Sequence, residues 1–116
     1  MKKFVSTMNK GFHMTFANGL TVSIQWGAGN YCDNHFPTDL DFSFSKPAES
    51  DTAEVAVWDN NQKWIDPQCF VDYKIGGDGM VVGWLTTDQV VKWMHSVALW
   101  DGSFPLRYAD DPFAED

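Results

Sequence analysis

Cys32-Asp33-Asn34-His35 is the densest run of ligand-type side chains in the chain. A thiol and an imidazole three residues apart suit a metal ion, with Cys69 or Asp39 as further ligands. Structural zinc sites draw on four Cys or His ligands at recognisable spacings, however, and only one short-range pair exists here. The same residues permit a second chemistry. Cys32 with His35, His13 or His95 would make a thiolate–imidazole pair of the kind cysteine hydrolases use, with Gly27-Ala28-Gly29 offering backbone donors to an oxyanion. That requires an orienting third group, and the glycines are equally expected at a strand end. Asp33 and Asn34 readily hydrogen bond to their own backbone, so an ordered loop is the simpler expectation. The pair Asp39 and Asp41 would lie on one side of a strand, about 7 Å apart. That spacing suits acid–base work or a cation, but it is also the ordinary pattern of a solvated edge. Gly76-Gly77-Asp78-Gly79 opens no helix in a phosphate-loop pattern and reads as a turn. No catalytic residue, metal or cofactor is predicted. A ligand-binding or hydrolytic protein using Cys32 and His35 is the alternative.

The carboxylates carry a stronger signal. The chain has sixteen acids against eight lysines and arginines, for a net charge of −8. Residues 31–60 hold seven of the acids (Asp33, Asp39, Asp41, Glu49, Asp51, Glu54 and Asp59) against Lys46 alone, and residues 101–116 hold five against Arg107 alone. Affinity for a phosphate backbone comes mostly from Lys and Arg, so direct nucleic-acid binding is excluded as an expectation. An acidic surface instead attracts basic protein surfaces. Tryptophans beside such acids make good anchors at a binding surface. The predicted partner-binding set is therefore Asp39, Asp41, Glu49, Asp51, Glu54, Trp58, Asp59 and Trp64, and the predicted partner is a protein with a basic surface.

The elements that must position these residues follow from periodicity. Phe12, Met14 and Phe16 alternate with polar residues, as do Val22, Ile24 and Trp26. Asn18-Gly19 lies between the two runs, which predicts a tight hairpin with six large apolar groups inward and a polar outer face. Leu40, Phe42 and Phe44 predict a short strand with its acids outward, protected by charge. Val55 to Ile65 predicts a second hairpin around Asp59-Asn60-Asn61. Val71, Tyr73 and Ile75 predict a short strand, and Met80 to Leu85 another. Thr86 with Gln89 makes a capping box at the start of a helix. Trp100, Trp93, Val97, Val90, Met94, Ala98 and Val91 fill about half its circumference, and Gly102 and Pro105 end it. Trp26, Trp93 and Trp100 are expected to be buried.

The class is α+β: an antiparallel sheet built from hairpins, with one amphipathic C-terminal helix packed on one face. A length of 116 residues suits one domain, taken as 1–108, followed by an acidic, frayed tail over 109–116. Cys32 and Cys69 are too few for a disulfide scaffold and are expected to be reduced, with a single disulfide as the alternative. Lys2 and Lys3 are not followed by the apolar run of a secretory signal. No stretch approaches the ~20 apolar residues of a membrane span, so a cytoplasmic protein is expected.

The string Phe16-Ala17-Asn18-Gly19-Leu20-Thr21-Val22-Ser23-Ile24-Gln25-Trp26-Gly27-Ala28-Gly29-Asn30-Tyr31-Cys32 resembles one found in a family of small uncharacterised proteins of tailed bacteriophages. Val55-Ala56-Val57-Trp58 and Gly83-Trp84-Leu85-Thr86 are similar to later pieces of the same group. The resemblance implies a phage gene product acting in the cytoplasm of a bacterial host, and it transfers no site residue. In size and charge alone the chain also resembles phage inhibitors of host defences, including anti-CRISPR proteins and nucleic-acid mimics. The expected function is thus an acidic inhibitor of a host nucleic-acid-binding or defence protein. A virion accessory protein is the third reading.

Overall fold

The computed structural model describes residues 3–34, 48–76 and 80–108. These form β1 (Phe4–Ser6), β2 (Gly11–Thr15), β3 (Thr21–Gln25), β4 (Ala53–Trp58), β5 (Trp64–Ile65), a 3-10 turn at Pro67–Phe70, β6 (Val82–Leu85) and α1 (Thr87–Leu99). The strands make one antiparallel sheet in the order β1-β2-β3-β4-β5, with β6 also paired to β4. Strands β5 and β6 share the far edge of β4, one beside Val57 and Trp58, the other beside Ala53 and Val55. The expected α+β class is the observed one, with α1 against the sheet.

The first hairpin has the expected phase. Phe12 pairs with Ile24 and Met14 with Val22, so the apolar residues share one face. That face continues across β4 through Val55 and Val57, which pair with Ile24 and Val22. Ile65, Phe70, Val82, Leu85, Trp93 and Val97 complete the buried cluster. The turn differs from the expected tight form. Among residues 16–20 only Gly19 has a positive φ (+89°), and Gly19 N–H and Phe16 N–H donate to Phe16 O and Leu20 O. This is a longer loop with one left-handed residue, which only glycine adopts without strain.

Asn18 is thereby released for another task. Its Nδ2 donates to Val97 O (2.9 Å), Ala98 O (3.3 Å) and Trp100 O (2.9 Å), while its Oδ1 accepts from Leu20 N–H (3.0 Å). The last carbonyls of a helix lack intrahelical partners, and a turn residue 79 positions or more away supplies them. Asn18→Ala is expected to cost about 1–3 kcal/mol, because Ala98 O and Trp100 O lose the Asn18 donor and Val97 O keeps only Trp100 N–H. Asn18→Asp is expected to cost more, because a carboxylate cannot donate and is repelled by the negative helix end. Urea denaturation midpoints check both.

The helix starts as its sequence dictates. Gln89 N–H donates to Thr86 Oγ1 and Thr86 N–H to Gln89 Oε1, a complete capping box, with Asp88 in the first turn. Its buried stripe is narrower than the apolar half circle expected. Trp93 and Val97 are fully buried and Val90, Met94 and Trp100 pack beside them, but Val91 is 62% exposed and Ala98 is also exposed. A single sheet face contacts only one side of a helix.

One further expectation fails, and one strand is unexpected. Val71 to Ile75 forms no strand. Gln68 Nε2 donates to Val71 O and Tyr73 O, and its Oε1 accepts from Ile75 N–H, so one side chain takes backbone groups a ladder would need. Strand β1, unexpected from sequence, pairs Phe4 with Met14 and extends the sheet beyond β2. The expected strand at Leu40, Phe42 and Phe44, the turn at residues 77–79 and the tail at 109–116 lie outside the described residues. Among the described residues no helix is long and apolar enough to cross a membrane.

Candidate protein-binding surface

The second sheet face is polar in composition but not open. Thr21, Ser23 and Gln25 are each under a tenth exposed. Trp58 lies across this face with its ring edge-on to His13 (centroids 5.0 Å, 88°) and tilted against Trp64 (5.5 Å, 34°). Thr15 and Thr21 hydroxyls bond each other at 2.8 Å, and Thr7 Oγ1 donates to Gln25 Oε1 at 3.0 Å. Small β3 side chains thus lie under a lid of larger ones. Burial lowers the pKa of His13 and favours the neutral imidazole.

The glycine-rich loop after β3 is fastened to the chain before and within β4. Gly27 N–H donates to Asn30 Oδ1, and Asn30 Nδ2 donates to Glu54 Oε1 at 3.2 Å. Tyr31 N–H donates to Glu54 Oε2 at 2.9 Å, and Asp33 N–H to Thr52 Oγ1 at 2.9 Å. Asn34 Nδ2 donates to Trp26 O at 2.7 Å and Glu49 O at 2.8 Å. These bonds set the exposed residue Asp33 beside the segment that bears Glu49, Asp51 and Glu54. Tyr31 O also accepts from Trp84 N–H at 2.9 Å, which hooks β6 onto the same loop.

At that junction two rings stand at the surface. Tyr31 is 45% exposed and Trp84 51%, with ring centroids 5.9 Å apart. The arrangement depends on Gly83, where an added Cβ would lie 2.5 Å from Tyr31 Cβ and 2.7 Å from Tyr31 O. Trp84 itself has φ +54°, a left-handed conformation that is strained for a bulky residue. The sequence reading missed this ring pair. The available signal was Gly83 inside an apolar run, because a strand glycine often marks a bulge or a close backbone approach. Both occur: the β4–β6 register shifts between Ala53 and Val55.

The predicted partner-binding residues divide. Glu49 and Asp51 belong to the junction just described. Glu54 lies there too, but its carboxylate is occupied in holding the loop. Asp59 is at the other end of β4, roughly 16 Å along the strand. It organises the second hairpin: Oδ1 accepts from Asn61 N–H and Lys63 N–H, and Oδ2 from Tyr108 O–H at 2.8 Å. Trp58 and Trp64 sit at that far end, with Trp64 36% exposed and Trp58 serving the lid. Asp39, Asp41 and His35 lie outside the described residues.

Burial raises the Asp59 pKa, but the Lys63 backbone, the Tyr108 hydroxyl and the Asn61 backbone outweigh it, and the net shift is downward from 3.8. A carboxyl with a depressed folded value contributes stability above its unfolded pKa and loses it as pH falls through the folded value. Wild type is therefore expected to lose stability from Asp59 only below about pH 4. Asp59→Asn should flatten that part of the acid limb, as read by thermal melts between pH 2 and pH 6.

The nucleophile geometry is opposite to what acyl chemistry needs. Cys32 is 1% exposed and its Sγ donates to Gly27 O at 3.5 Å. Its pKa is raised, chiefly by burial, with the Glu54 and Asp33 charges adding to the effect, so the thiol stays protonated. Burial likewise raises Cys69, and both cysteines are free thiols. Among the described residues no three His, Cys, Asp or Glu side chains converge as a metal site. Comparison with family models, curated proteins and solved structures finds no match for this chain.

Proposed function

We propose that this chain is a non-enzymatic binding protein that docks an acidic, aromatic-anchored edge onto a basic surface of another protein. The observation that supports it most is the junction of loop and sheet, where exposed Tyr31 and Trp84 stand beside the segments bearing Asp33, Glu49 and Asp51. Aromatic rings that are partly exposed and rigidly backed supply large contact area at little entropic cost. The surrounding carboxylates steer a basic partner and raise its association rate. Trp84 and Tyr31 thereby take the anchoring role that the sequence suggested for Trp58 and Trp64.

Given the net charge of −8, the partner surface is one that otherwise carries a polyanion. Together with the phage resemblance, this favours inhibition of a nucleic-acid-binding or defence protein of a bacterial host. The test is affinity capture from bacterial lysate followed by competition. The captured protein should be released by heparin or duplex DNA and should bind about tenfold more weakly when salt rises from 50 to 300 mM. Trp84→Ala and Asp33→Lys should each weaken capture, while Trp64→Ala should not. A partner that binds Trp84→Ala as well as wild type, or ignores salt and heparin, contradicts this reading.

A further inference from the structure

Among the described residues one helix lies over this sheet, and it is too narrow to cover the whole face. Five strand positions about 4.8 Å apart make an apolar face roughly 19 Å wide, and a helix with its side chains covers about 10 Å. The helix α1 packs on β4, β6 and the 3-10 turn. On the hairpin side, Phe12 and Trp26 face the core yet are only partly buried. The space left between hairpin and helix is a cleft of about 350 Å³. Its floor is Ile24, Ala53 and Leu85, all buried, and its walls are Phe12 and Trp26 on one side and Val90 and Met94 on the other. Phe12 and Trp26 meet edge to face at 6.3 Å and 71°, which leaves ring surface turned to the cleft.

The mouth has a different chemistry. Ser50, Asp51, Thr52 and Thr87 form it. Among the described residues Asp51 is the one charged group in the lining, and Asp88 follows Thr87 in the first turn of the helix. The helix N-terminus contributes about half a positive charge. Two carboxylates outweigh it, and the capping box already engages the N–H groups of Thr86 and Gln89.

We propose that this cleft binds a small molecule with a flat apolar body and a single cationic amine. The body replaces water against Phe12, Trp26, Val90 and Met94, and the ammonium lies at the mouth beside Asp51. The volume is within the usual range for small-molecule sites, and a mostly apolar lining with a few polar groups at one end is their usual composition. The cleft adjoins the Tyr31–Trp84 edge and shares Asp51 with it, but neither Tyr31 nor Trp84 lines it.

Three naphthalene probes test it: 1-naphthylmethylamine, 1-methylnaphthalene and 1-naphthylacetate, titrated into the full chain and followed by amide chemical shifts. The amine should bind about tenfold more tightly than the acetate at low salt, with shifts centred on Ile24, Ala53 and Val90. Asp51→Asn, at an exposed position, should weaken the amine about threefold and leave methylnaphthalene unchanged, as expected for one exposed charge. Met94→Trp should fill the cleft and abolish binding of all three. Trp84→Ala should leave probe binding intact, which separates failure here from failure of the docking edge. Shifts centred elsewhere, no binding of any probe, equal affinity for amine and acetate, or an amine affinity unaffected by Asp51→Asn would overturn the proposal.

Discussion

Replacing Trp93 by alanine is expected to lower the unfolding free energy by about 3–5 kcal/mol, the range for deleting a large buried ring. Trp93 is fully buried. Its ring meets Phe70 edge-on at 6.4 Å, and Nε1 donates to Pro67 O at 2.9 Å. One side chain therefore joins the helix to the 3-10 turn by packing and by a hydrogen bond. Deleting it leaves a cavity at the only helix–sheet junction of the described chain, and leaves a buried carbonyl without its donor. Trp93→Phe separates the two contributions. It keeps much of the ring volume and loses the donor, so it should cost about 1–3 kcal/mol. Equilibrium urea unfolding of the three proteins measures both. A Trp93→Ala loss under 1 kcal/mol would mean that α1 is not held through this residue.

Gly11→Ala should cost about 3 kcal/mol, at the upper end of overpacking effects. Gly11 opens β2 and pairs with Gln25. A Cβ there would fall on the carbonyl oxygen of Ile24 and within 2.9 Å of Gln25 Cα and Cδ. Two of these atoms are backbone, so no rotamer change relieves the contact. The strands must separate at this end, where Trp26 N–H also donates to Lys10 O and Thr7 N–H to Gly11 O. The prediction is specific to space: Gly76→Ala, where nothing among the described residues lies within 4 Å, should cost only the left-handed backbone strain of φ +85°. Thermal melts of the two variants, with hydrogen exchange at the β2–β3 amides, distinguish them. Equal melting shifts would show that crowding at Gly11 is not what matters.

Local patterns carried far in this chain because they involve neighbours. Alternation over Phe12 to Trp26 placed six apolar groups on one face, and Thr86 with Gln89 marked the helix start. Two of the unexpected features come from contacts distant in sequence, and one from a side chain that competes locally for backbone groups. Asn18 looks like a turn residue and caps a helix 79 residues on. Gln68 diverts Val71 to Ile75 from strand pairing. Thr21 and Ser23 look exposed by polarity, yet they are covered because Trp58 and His13, paired with them across the ladder, fold over them.

The site shows the same division. An excess of carboxylates between residues 31 and 60 is written in the composition, and it bears on the kind of partner whatever the fold. Which carboxylates remain available is a tertiary matter. Glu54 and Asp59 sit five residues apart, and hydrogen bonds turn both to internal use. The choice between tryptophans is also tertiary, since Tyr31 and Trp84 meet only because Gly83 lets the loop approach β6. Sequence by itself determined the strand phases, the helix cap and the sign of the surface charge, because periodicity, capping and net charge depend on residues close together or on their sum. Tertiary structure alone decided which rings and acids share a surface, because that depends on backbone segments that only folding brings within hydrogen-bonding distance.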